Sequence, residues 1–141
     1  MAFLQDRDRE IVRGRLDALP ASVRLVHFTQ ALDCETCPEA RALLEELAGL
    51  SEKLQLEVLD LQIEPDRAAE HGIDQVPGTV IFGPAAVPLR YFGTPSGYEF
   101  ATLLQAIELA AGGDSGLEPA TRQKLAAVAE PMQLQVFVTP T

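Results

Sequence analysis

Cys34 and Cys37 are the only cysteines of this 141-residue chain, and Val76-Pro77 follows them, with the proline forty residues after the second thiol. Two thiols at i and i+3 on one turn lie within disulfide reach, and a lone C-x-x-C between a predicted strand and a predicted helix reads as a redox pair. The pair sets the order of elements around it, a strand ahead of the thiols and a helix that begins at them.

Composition narrows what such a pair serves. An apolar fraction of 47% in 141 residues predicts one globular unit with its own core rather than a disordered chain. Twenty-one acidic against eleven basic side chains give a formal charge of −10, which opposes binding to nucleic acid or anionic lipid. Proteins or small thiols are the expected partners. The stretch Met1-Ala2-Phe3-Leu4-Gln5-Asp6 turns charged at once, with no apolar core of signal-peptide length, and no run reaches membrane-spanning length. The expected location is the cytoplasm, where thiols are kept reduced and two cysteines serve better as a cycling pair than as a structural staple.

Hydrophobic spacing predicts the elements. Ile11, Val12, Leu16 and Leu19 form an amphipathic pattern over residues 6–19 that stops before Pro20. Val23 to Thr29 reads as a strand, with Val23, Leu25 and His27 on one face. From about Glu35 to Leu50, Leu43, Leu44, Leu47 and Leu50 repeat at helical spacing. Leu54, Leu56 and Val58 alternate as a second strand, and Pro65 opens a short helix that Gly72 closes. Thr79 to Phe82 and Val87 to Phe92 read as a hairpin around Gly83-Pro84-Ala85-Ala86. Ser96 and Glu99 form a capping box ahead of Phe100, Leu103, Leu104 and Ile107, and Gly112-Gly113 end that helix. The result is a βαβ unit followed by a ββα unit, preceded by an extra helix.

A shift of 109 positions lays Arg13, Arg15, Leu16, Leu25 and Phe28 over Arg122, Lys124, Leu125, Leu134 and Phe137. Residues 114–141 therefore read either as the start of a second copy or as an unrelated helix and strand.

Several residues carry candidate chemistry. A cysteine at the first turn of a helix sees unpaired backbone N–H groups and the positive end of the macrodipole, which favour the thiolate, so Cys34 is the candidate nucleophile. Cys37, deeper on the same turn, suits the resolving role. Asp33 and Glu35 flank the nucleophile, and no Lys or Arg lies between Arg24 and Arg41, which argues against a strongly oxidising pair. A zinc site would need two more ligands, and His27 and His71 lie at no recognisable ligand spacing, so no metal is expected. Pro77 either starts a strand or, as a cis proline, turns the backbone so that Val76 pairs with an extended substrate segment; Gly78 leaves room for close approach. His27, at the end of the first strand, is either an ordinary strand histidine or the group that accepts or donates the proton exchanged by Cys37. His71 is a favourable charge at a helix end with no catalytic role.

Together, Cys34-Glu35-Thr36-Cys37, Gly72-Ile73-Asp74-Gln75-Val76-Pro77 and Arg90-Tyr91-Phe92-Gly93-Thr94-Pro95-Ser96-Gly97-Tyr98-Glu99-Phe100 resemble the thioredoxin superfamily. More narrowly they resemble the N-terminal unit of the protein disulfide oxidoreductases, glutaredoxin-like proteins with tandem thioredoxin folds. Thr36, where an aromatic is usual, and Gly78 depart from that pattern. The resemblance implies an α/β thioredoxin-like fold: a mixed four-stranded sheet flanked by helices over residues 1–113, and over 114–141 a helix and strand resembling the start of a second thioredoxin-like unit. It also implies that Cys34 and Cys37 are redox-active, that Pro77 is cis, and that a flavin-dependent thioredoxin reductase or a small thiol restores the dithiol. No cofactor of its own is expected.

The expected function is thiol–disulfide exchange with protein disulfides. The alternatives are a non-catalytic peptide-docking module of the same fold and a dedicated electron donor to a peroxidase. A second thioredoxin-like unit or a second copy of the chain is a further expected partner.

Overall fold

A computed structural model describes residues 3–85 and 87–139. Ala86 of the expected hairpin turn, Met1-Ala2, and Pro140-Thr141 at the end of the expected last strand lie outside the described residues. The elements run α1 (Asp6–Asp17), β1 (Val23–Thr29), α2 (Cys37–Ala48), β2 (Leu54–Asp60), α3 (Pro65–Glu70), β3 (Gly78–Phe82), β4 (Leu89–Phe92), α4 (Tyr98–Ala111) and α5 (Pro119–Ala126). The four strands make one mixed sheet in the order β2-β1-β3-β4. β1 pairs parallel with β2 and antiparallel with β3, and β3 pairs antiparallel with β4.

β1 is central, and its nearly continuous burial reflects helices on both faces of the sheet. On one face Val23 and Leu25 pack with Val12 and Leu16 of α1, Leu44 and Leu47 of α2, and Leu103 and Ile107 of α4. On the other, Val26 and Phe28 pack with Val80, Ile73 and Ala68 of α3. Alternation along β1 thus assigns each residue to a layer. α1 contributes Val12 and Leu16, whereas Ile11 is exposed. Gly72, with φ 68°, follows α3, and Gly112, with φ 114°, ends α4. Both positions suit a residue without Cβ.

Two local expectations are corrected. The Ser96/Glu99 capping box does not form: α4 is capped at Gly97, with no side-chain cap bond, and Glu99 instead accepts from Tyr91 Oη at 2.5 Å. The chain enters the helix one residue later than the box requires. The appended C-terminal strand is also absent among the described residues, and only the appended helix, α5, is present. Leu134, Val136, Phe137 and Val138 are exposed and join no strand among the described residues, since a strand needs a partner strand for its backbone groups.

Candidate active site

Cys34 and Cys37 are joined by a disulfide, with S–S 2.06 Å and Cα–Cα 5.4 Å. Cys37 is the first residue of α2 and fully buried, whereas Cys34 is half-buried in the loop leading to it. The helix therefore begins at the second thiol, and Cys34 stands just ahead of the first turn. Asp33, with φ 58°, turns the loop immediately before Cys34. Pro38 sits within the first turn of α2, where its missing N–H removes no helical bond.

The second wall of the site is the Asp74–Gly78 segment. The Val76–Pro77 peptide bond is cis. The Pro77 carbonyl accepts from Gly93 N at 2.8 Å, and Thr94 Oγ1 donates to the Thr36 carbonyl at 3.5 Å. The Gly93-Thr94 turn after β4 thus ties the proline loop to the cysteine loop. Among the described residues, the N–H and C=O of Val76 make no backbone hydrogen bond, and Val76 is half-buried. Gly78 serves the loop itself: a Cβ there would lie 2.7 Å from the Gln75 carbonyl oxygen and 3.0 Å from Ile73 Cγ2.

His27 is fully buried on the α2 face of β1, with Nδ1 2.9 Å from Thr79 Oγ1. The two residues are direct cross-strand partners, and the same row continues to Val58 on β2 and Tyr91 on β4. Burial pushes the His27 pKa down from 6.5 to about 4, with the Arg41 charge acting the same way and Glu45 opposing. The ring is therefore neutral at pH 7. Burial and the bond to Glu99 hold the Tyr91 phenol above its usual range. His71 caps α3 and packs edge-on against Phe82 at 5.3 Å, away from the thiols' face of the sheet. Sequence reasoning had no means of finding Thr79 or the Tyr91–Glu99 contact, because both depend on strand register.

Among the described residues, no group of three or more His, Cys, Asp or Glu side chains is placed to hold a metal ion, and no helix is long and apolar enough to cross a membrane. The arrangement presents one half-buried sulfur and one buried sulfur at the start of α2, and a neutral buried imidazole on the face of the sheet that α2 covers.

No family model matches the chain. It is 30% identical over 77 residues to a thioredoxin of Methanocaldococcus jannaschii, covering 54% of this chain and 85% of that protein. Among solved structures it is similar to the alkylhydroperoxide reductase AhpF of Enterococcus faecalis (TM-score 0.78, 26% identity, 89% of this chain and 61% of the other). It is likewise similar to a protein disulfide oxidoreductase from Aeropyrum pernix (TM-score 0.76, 26% identity, 90% and 56%). The chain spans about three-fifths of the length of these two solved chains.

Proposed function

The chain belongs to the thioredoxin family and is a thiol–disulfide oxidoreductase unit, and from that premise we propose that Cys34 is its nucleophile and Cys37 its resolving thiol. The observation that carries this reading is the asymmetry of the pair, one sulfur half-exposed in a loop and the other buried at the start of α2. The Cys34 thiolate attacks a substrate disulfide, forming a mixed disulfide and releasing one substrate thiol. Cys37 then attacks Cys34 Sγ, releasing the second substrate thiol and leaving Cys34–Cys37 oxidised. Two electrons pass to the substrate, and a dithiol or small-thiol reductant returns them. His27 is the group that exchanges the Cys37 proton.

Val76, Pro77 and Gly78 form the substrate wall. The unpaired Val76 backbone supports pairing with an extended peptide segment around the target disulfide. A Cys37→Ser variant is expected to accumulate a dithiothreitol-sensitive mixed disulfide with a denatured disulfide protein through Cys34. Absence of that adduct, with Cys34 shown to be a free thiol, would contradict the assignment.

Redox partners follow from the family; their identity is part of the proposal. Thioredoxin reductase or a small thiol restores the dithiol, and the substrates are protein disulfides. Similarity to the alkylhydroperoxide reductase AhpF brings in a peroxide-reducing system as one recipient. The docking-module alternative is not favoured. Residues 114–141 are assigned to the start of a second thioredoxin-like unit, supported by their five matches to the first helix and strand and by an α5 that buries no residue; pairing with a second copy is the other arrangement. A cytoplasmic location fits a pair that must be re-reduced.

A further inference from the structure

The three segments that meet at the disulfide carry charge of one sign. The cysteine loop with the first turn of α2 (30–40), the proline loop (72–78) and the turn into α4 (93–99) are joined by the Gly93–Pro77 and Thr94–Thr36 hydrogen bonds. Between them they hold Asp33, Glu35, Glu39, Asp74 and Glu99, and no Lys or Arg. Glu99 is engaged by Tyr91 Oη. The other four are exposed and, among the described residues, make no ion pair.

Cations of the neighbouring elements do not offset them. Arg41 is paired with Glu45 at 2.7 Å, and Arg67 with Glu57 at 2.7 Å. Arg90 keeps its charge at the Gly72 end of the proline loop, donating from Nε to the His71 carbonyl at 2.6 Å, and its strand partner Val80 belongs to the core on the α3 side. Chain geometry bounds how near the carboxylates come. Consecutive Cα atoms are about 3.8 Å apart, so Asp33 and Glu35 flank Cys34 at that distance, and Asp74 lies within about 7 Å of Val76. An extended substrate advances about 3.3 Å per residue, so the residues one and two places from its cysteine pass the same carboxylates. These separations fall inside the Debye length of about 8 Å at physiological ionic strength.

We propose that Asp33, Glu35 and Asp74 are specificity residues: they select protein disulfides whose cysteine is flanked by Lys or Arg, and they disfavour disulfides flanked by Asp or Glu. The disulfide makes the site, and the carboxylates decide what approaches it. This rests on Cys34–Cys37 being the working pair and names the substrate class of that pair. The exchange itself is unchanged: two electrons pass from the Cys34–Cys37 dithiol to the substrate disulfide, which leaves as two thiols. Complementary charge acts on the encounter, where it raises the rate and is weakened by salt.

Two extended peptides test this, identical except for Lys or Glu on both sides of one cysteine, which in each carries the same neutral disulfide to 2-mercaptoethanol. The rate of the reduced full chain on each peptide is divided by that of dithiothreitol on the same peptide, which removes the peptide's own reactivity. At about 0.01 M salt, where the Debye length is about 30 Å, the Lys peptide is expected to be favoured on the order of tenfold; at about 1 M, where it is about 3 Å, the ratio is expected to fall below about twofold. Because the ratio compares two peptides on one chain, a change in Cys34 reactivity cancels from it. Glu35→Gln/Asp74→Asn is expected to lower the low-salt ratio to about threefold. Glu10→Gln/Glu52→Gln, which makes the same change in net charge on α1 and on the turn before β2, is expected to leave it in place. A low-salt ratio near one in the wild-type chain, or an equal fall in both double variants, would overturn the proposal. The two readings fail separately: equal reduction of both peptides contradicts the charge selection alone, whereas a chain that reduces neither contradicts the working pair and the selection with it.

Discussion

His27 couples the buried centre of the site to acid. Its pKa is about 4 in the folded chain against 6.5 unfolded, so between those values the unfolded chain binds the extra proton. Stability from this residue is complete above about pH 6.5 and falls as the pH drops toward 4, by up to about 3 kcal/mol. In His27→Leu that part of the acid loss is expected to vanish, read as urea unfolding free energies at pH 7 and pH 4.5. An equal loss in both chains would show that the ring titrates normally. The inward direction of His27 was legible from its alternation with Val23 and Leu25. Its partner was not, because Thr79 lies fifty-two positions away and meets it only through the β1–β3 register.

At the scale of elements, apolar spacing located β1, α2 and β2, whose apolar side chains enter the core, while Pro65 and Gly72 marked α3 and two β-prone runs marked the β3–β4 hairpin. Where local chemistry had to be guessed without its neighbours, the reading failed. The Ser96/Glu99 spacing fits a capping box, but Gly97 takes the cap and Tyr91 takes the carboxylate. The segment around Val136-Phe137-Val138 has strand composition and no strand beside it. One close approach fixes how α4 meets the sheet: a Cβ on Gly83 would lie 2.1 Å from the Ala110 carbonyl oxygen. Gly83→Ala should therefore cost about 2 kcal/mol of unfolding free energy in urea. A loss below about 0.5 kcal/mol would mean that the end of α4 moves away freely.

At the scale of the molecule, the sheet with α1 to α4 carries the buried core, while α5 buries nothing and the apolar side chains of residues 132–138 are exposed. A chain ending at Gly116 should keep its unfolding free energy within about 0.5 kcal/mol. A larger loss would show the C-terminal segment docked on its own sheet. On the proposed reading turnover resides in the first 113 residues, which hold the Cys34–Cys37 pair and the cis Val76–Pro77 bond. The most direct test of the whole account is dithiothreitol-driven reduction of insulin by the wild-type chain beside Cys34→Ser. Acceleration by the wild type that Cys34→Ser abolishes is the predicted result. Equal acceleration by both chains, or none by either, would contradict Cys34 as the nucleophile of a self-sufficient oxidoreductase unit.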